Sequence, residues 1–172
     1  VSAEAAIEIS VRRARTSDVR DIVILVNAYA RERILLGKEL VTLFEDVQEF
    51  QVAVAPDGQV IGCGALHVMW EDLAEVRTLA VDRDWRKHGV GRKLLEALVE
   101  QAHEVGVRRL FCLTFEVDFF ARHGFYPIDG TPVEPEVYAE LLRSMDEGVA
   151  EFLDLARVKP NTLGNTRMLR TL

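Results

Sequence analysis

Long apolar runs are missing from this sequence. No stretch of about 18 apolar residues occurs, and the opening VSAEAAIEIS has neither the basic head nor the apolar core of an export signal. Both absences predict a protein that stays in the cytosol and has no membrane partner. Cysteine is scarce too. Cys63 and Cys112 lie in apolar runs without CxxC spacing, which excludes a disulfide framework and a zinc site and predicts buried free thiols. His67, His88, His103 and His123 share no metal-ligand spacing, so no metal is expected. Positive charge is in deficit: 21 Lys and Arg against 28 Asp and Glu give a net charge of -7, which argues against nucleic acid as a partner. No GxxxxGK followed by Ser or Thr occurs, which removes the P-loop nucleotidases. Repeats, low-complexity tracts and linkers are absent as well.

What is present is the composition of one globular domain, residues 1–172, with 49% hydrophobic and 28% charged residues. Residues 9–13 read as a strand. Thr16, Ser17 and Asp18 supply capping oxygens to a helix built on Val19, Ile22, Val23 and Val26 and ending near Ala30. A less regular helical region follows over 33–47, broken at Gly37. Residues 50–55 and 60–69 form a hairpin around Pro56-Asp57-Gly58-Gln59. Residues 74–81 are a strand with Glu75, Arg77, Leu79 and Val81 on one face. Leu94, Leu95, Leu98, Val99, Ala102 and Val105 mark an amphipathic helix ended by Gly106, and 109–113 form the next strand, parallel to 74–81. A short helix at 119–123, a strand at 125–128, a helix from Pro135 toward Met145 and a strand-like tail at 166–172 complete an α/β fold.

One segment carries chemistry. Positions 83–93 hold Arg83, Arg86, Lys87, Arg92 and Lys93 against the single acid Asp84 within 83–93. Gly89 and Gly91 let the backbone take conformations that side chains block, so successive N–H groups converge on one anion. The helix that follows adds its N-terminal dipole. The third position of a dinucleotide fingerprint is Leu94 rather than Gly, so a dinucleotide is not indicated.

The string Arg86-Lys87-His88-Gly89-Val90-Gly91, preceded by LAVDRDW, closely resembles motif A of the GCN5-related N-acetyltransferase (GNAT) superfamily, and FFARHGF resembles its later motif. The resemblance implies acetyl-CoA as co-substrate. It also implies a central mixed sheet splayed between its fourth and fifth strands with helices on both faces. The pantetheine arm is expected on the backbone of Leu79, Ala80 and Val81, and the pyrophosphate on Arg86, Lys87, His88, Gly89, Val90, Gly91 and Arg92. ERILLGKEL, AEVRTLAV, LFCLTFEVDFFARHGF and NTRML extend the resemblance to the acetyltransferase domain of N-acetylglutamate synthases. That implies a stand-alone enzyme acetylating the α-amino group of L-glutamate, or of L-glutamine, at the first step of arginine biosynthesis.

Such a transfer needs a neutral amine, yet α-amino groups are largely protonated near neutral pH, so a base must take the proton. Family members often place an acid on the fourth strand, which points to Glu75. Thr114 falls where related synthases carry a hydroxyl implicated in catalysis. Phe120 replaces the Tyr that many members use to protonate the leaving thiolate, and it is expected to pack on the pantetheine arm. A dicarboxylate acceptor calls for cations, since the arginine fork pairs bidentately with carboxylate; Lys38, Arg77, Asn165 and Arg167 are the candidates. Two other readings stand beside this one: an acetyltransferase for another amine, such as a polyamine or a protein terminus, and a non-catalytic acetyl-CoA-binding module. The stretch 135–161 is unassigned, with a lid and a homodimer contact both open.

Overall fold

The computed structural model describes residues 6–32 and 38–172, and the chain divides into two compact units. The first comprises Val1–Leu66 and Thr78–Gln101. It holds β1 (Ser10–Arg13), α1 (Val19–Ala30), α2 (Leu40–Glu45), β2 (Phe50–Val54), the start of β3 (Val60–Trp70), the end of β4 (Leu73–Val81) and most of α3 (Val90–Val105). Its strands lie in the order β1-β2-β3-β4. β1 runs antiparallel to β2 from Ser10↔Val54 to Arg13↔Gln51, and β2 antiparallel to β3 from Phe50↔Ala65 onward.

Alternation along β2 divides the core of this unit. Phe50 and Val52 join Val19, Ile22, Leu25 and Val26 of α1 and Leu43 of α2. Ala53 points the other way, to Ile61, Val90 and Leu94, as a period of two requires. Gln51, on the α3 side, is buried and donates to Gln101 Oε1 at 3.0 Å, so the polar pair satisfies itself. Two glycines let α3 approach β3: a Cβ on Gly62 would stand 2.9 Å from Leu94 Cδ1, and one on Gly64 3.0 Å from Leu98 Cδ1. Leu94, Leu95, Leu98 and Ala102 are buried, while Val105 is exposed.

The second unit comprises His67–Arg77 and Ala102–Leu172. To the remainders of β3, β4 and α3 it adds β5 (Arg109–Thr114), α4 (Val117–Arg122), β6 (Tyr126–Pro127), α5 (Pro135–Leu141), α6 (Glu147–Phe152), α7 (Lys159–Thr162) and β7 (Thr166–Thr171). The strand order is β3-β4-β5-β7-β6. Gly106 (φ +96°) closes α3, with its own N–H and that of Val107 both donating to Ala102 O. β4 and β5 are parallel and paired only from Leu73↔Arg109 to Glu75↔Phe111, although each strand continues. That early end to the pairing is the split expected between the fourth and fifth strands. Phe111, Leu73 and Leu169 form the core with Val149, Phe152 and Leu153 of the α6 region.

Several boundaries differ from expectation. Asp18 does not cap α1; its carboxylate pairs with Arg12 (2.7 and 3.0 Å) and accepts the Arg15 N–H (2.7 Å), so Thr16–Asp18 forms its own tight turn. Gly37, the expected helix break, lies outside the described residues. The helix from Pro135 stops at Leu141 instead of Met145, because Ser144 and Asp146 start a new turn: Ser144 Oγ accepts the Asp146 N–H, and Asp146 accepts that of Val149. The strand expected over 125–128 is reduced to Tyr126–Pro127. Thr78 (φ +57°), a β-branched residue in left-handed backbone, interrupts the alternation of β4 just after Arg77.

Candidate active site

The basic loop lies in the first unit. Asp82 Oδ1 accepts the Asp84 N–H (2.9 Å) and opens a tight turn, Arg83–Trp85. Lys87 (φ +65°) and Gly89 (φ +75°) then take left-handed backbone. A left-handed Lys is uncommon. Gly91 lies inside the first turn of α3, and the first α3 ladder bond is Lys93 N–H to Gly89 O at 3.1 Å. The N–H groups of Val90, Gly91 and Arg92 therefore precede the helical ladder and are the donors a phosphate needs. Not every cation of the segment is spare. Arg86 donates to the Tyr29 hydroxyl (3.2 Å) and lies over its ring, Arg83 pairs with Glu32, and Lys93 Nζ donates to Ile9 O. Arg92, paired loosely with Glu96 at 3.5 Å, is exposed, and His88 Nδ1 lies 2.9 Å from Arg86 O. Tyr29, which no motif singles out, donates in turn to Val81 O (2.5 Å) and so ties α1 to the end of β4.

The second unit gathers charge in a different way. Glu75, 4% exposed, receives two bonds from Arg77 on the same strand, Nε at 3.2 Å and Nη2 at 2.7 Å, both on Oε2. The other side of the Arg77 fork is taken bidentately by Asp146, at 2.8 and 2.6 Å. His67 Nε2 is 3.7 Å from Asp146 Oδ1. Gly148 closes the arrangement, because a Cβ there would fall 2.0 Å from Glu75 Oε2 and 2.5 Å from Arg77 Nη2. Burial pushes the Glu75 carboxyl above its ordinary range, against the pull of Arg77. Burial works the same way on Asp146, but there the Arg77 hydrogen bonds and charge outweigh it and hold the carboxyl at about 2. Glu151, one turn further along α6, is pushed up to about 7, first by burial and then by the charge of Glu75. Arg77 stays firmly charged, since Glu75 and Asp146 together overcome its burial.

The remaining candidates have separate places. Thr114 ends β5, buried, its Oγ1 accepting the Glu116 N–H at 2.8 Å. Phe120 on α4 is buried edge-to-face against Phe119 and Phe125. Arg167 on β7 directs its N–H groups to carbonyls, those of Glu151, Asp129, Gly130 and Phe152. Asn165 is half-buried, and its N–H donates to Thr162 O. Lys38 belongs to the first unit and is half-buried. Asp146, Gly148, Glu151 and His67 were not among the residues singled out from sequence. The only signal for the first is its Asp-x-x-Val cap ahead of an apolar run. Among the described residues, no group of His, Cys, Asp and Glu is arranged to hold a metal ion, and no helix is long and apolar enough to cross a membrane.

Residues 21–126 match the acetyltransferase (GNAT) family. An amino-acid acetyltransferase of Mycobacterium tuberculosis is 59% identical over 164 residues, 94% of each chain. Among solved structures, Rv2747 from M. tuberculosis in complex with CoA and NLQ superposes with a TM-score of 0.92 at 59% identity, over 95% of this chain and 99% of that one. The N-acetylglutamate synthase of Neisseria gonorrhoeae, complexed with coenzyme A and N-acetyl-glutamate, shares the fold with a TM-score of 0.76 at 24% identity. That match covers 99% of this chain and 36% of the synthase. The match to the family model, the early end of the β4–β5 pairing and near-complete alignment with such a relative agree that the chain belongs to the GNAT acetyltransferase family.

Proposed function

We propose that the protein transfers the acetyl group of acetyl-CoA to the α-amino group of L-glutamate, the opening reaction of arginine biosynthesis. The observation that carries this reading is a buried carboxylate, Glu75, whose acidity burial weakens while Arg77 fixes its position. The amine arrives as an ammonium. Glu75 takes one proton from it through Oε1, the oxygen on which neither Arg77 bond falls. The freed nitrogen lone pair attacks the thioester carbonyl, the nitrogen of the tetrahedral intermediate gives its second proton to water, and the intermediate collapses: the C–S bond breaks and CoA leaves as the thiolate. Phe120 has no proton to give, so water protonates the thiolate, which the ordinary acidity of thiols near pH 8.5 permits. The pyrophosphate is assigned to the backbone of 86–92 and the pantetheine to Leu79, Ala80 and Val81. Thr114 is assigned to orient the amine. Asn165 and Arg167 are assigned to the acceptor's carboxylates, although Arg167 must first release its carbonyls.

One observation favours a second acceptor, L-glutamine. Arg77 is already shared between Glu75 and Asp146, so a neutral side-chain amide meets less repulsion from these acids than a second carboxylate does. A thiol-release assay over glutamate, glutamine, aspartate, lysine and spermidine decides among these. Preference for glutamate or glutamine supports the biosynthetic reading. Turnover with lysine or spermidine alone discards the acceptor assignment. Glu75→Gln is expected to lower kcat by about 100- to 10,000-fold, and full activity in that variant removes the base.

A further inference from the structure

We infer that the start of α6, from its cap Asp146 to Gly148, is the positioning element of the reaction: it clamps the Arg77 guanidinium against Glu75 and so holds the base in place. The inference rests on the reading of Glu75 as base. It starts from the geometry of one fork. Arg77 makes four bonds, two to Glu75 Oε2 and two to the Asp146 carboxylate, at 2.6 to 3.2 Å. A guanidinium held on both edges by carboxylates has one orientation left to it. Asp146 is itself fixed, since Oδ2 accepts the Val149 N–H at 3.0 Å and its own N–H is taken by Ser144 Oγ at 3.1 Å. Further along α6, Val149 and Phe152 are buried against Leu73 and Phe111, the core of the second unit.

Gly148 supplies the second half of the device. Its backbone φ is not left-handed, so glycine is not required there for conformation. In an ordinary helix, alanine would be the better residue by about 1 kcal/mol. The obstacle is space. A Cβ would fall 2.0 Å from Glu75 Oε2 and 2.5 Å from Arg77 Nη2, so the ends of both side chains must shift, and the bonds between them shift with them. The helix thus closes on the base through a missing methyl group. The groups acting on Glu75 are Arg77 on its own strand, His67 from β3, Asp146 at the start of α6, Glu151 on α6 and Cys112 from β5.

Two substitutions on this one element act in opposite directions. Asp146→Asn keeps an acceptor oxygen for Val149 and removes a negative charge. Arg77 then serves Glu75 alone, and the acid limb of kcat/KM moves to lower pH. Gly148→Ala drives Arg77 and Glu75 apart, the carboxylate loses its partner, and the limb moves to higher pH. In that variant kcat/KM for the amino acid falls by about 100-fold, while KM for acetyl-CoA is unchanged. Opposite shifts are not a product of general loosening, so equal limbs in both variants, or shifts in one direction, overturn the inference. Glu75→Gln is run alongside. If Glu75→Gln is inactive and neither limb moves, the start of α6 has no positioning role; if Glu75→Gln retains full activity, it is the base assignment that fails.

Discussion

The basic loop and the α6 cluster handle charge by opposite means. In the loop, cations are carried at the surface, as Arg92 is, and the proposed function has the anion met by backbone N–H groups at the start of α3. In the cluster, one arginine with an 11% exposed side chain lies between two carboxylates, with a third acid one helical turn away. Water screens the first arrangement and is largely absent from the second. A lost surface charge is compensated by solvent; a lost buried partner leaves the remaining ions stranded. On the proposed function, catalytic tuning belongs to the buried cluster and cofactor capture to the loop.

Substitutions in the two regions sharpen that contrast. The largest effect is expected from Arg77→Met, which strands Glu75 and Asp146 without their counter-ion and costs about 3–5 kcal/mol in urea unfolding. A loss as small as a surface pair's would break the comparison. Next comes Gly89→Ala, which forces a Cβ into left-handed backbone at about 1–2 kcal/mol and raises KM for acetyl-CoA with kcat kept. Smaller still is a pH effect at Glu151. Its carboxyl titrates near 7 when folded and at its ordinary 4.5 when unfolded, so between those values the native state holds the extra proton. Stability therefore declines as pH rises through that window, and Glu151→Gln is expected to flatten the slope of unfolding midpoint against pH. Asp146 has the reverse sign: its contribution is complete above its ordinary 3.8 and fades as pH falls toward about 2. The smallest effect is expected from Arg92→Ala, within about 0.5 kcal/mol in stability, with a rise in acetyl-CoA KM that added salt diminishes.

The same contrast explains which parts were legible in the sequence. The loop is contiguous: its glycines, its cations and the apolar spacing of α3 sit side by side, and local rules recover them. The cluster is assembled across the chain, with Arg77 and Asp146 69 positions apart, and no pattern in either neighbourhood announces the other. Glu75 and Arg77 were singled out because AEVRTLAV resembles the fourth strand of the family, not through any local rule. Asp146 was hidden because 135–145 reads as one continuous helix, and only the Ser144 and Asp146 caps interrupt it. Asp18 misled for a related reason, since its oxygens suit a helix cap but the charge of Arg12 claims them. Tyr29 shows the limit from the other direction: a tyrosine late in an amphipathic helix gives no sign that it will hold Val81 O and Arg86.

The two cysteines have a practical consequence at the bench. Cys63 and Cys112 are both buried, burial pushing the first thiol up to about 12 and the second well above its usual value. A chromogenic disulfide reagent reacts with thiolate, so at neutral pH the folded protein is expected to stay colourless and released CoA to be the sole source of signal. Denatured protein should show two additional equivalents, one per cysteine. The same cuvette can therefore report turnover while the fold holds and count unfolded molecules once it fails.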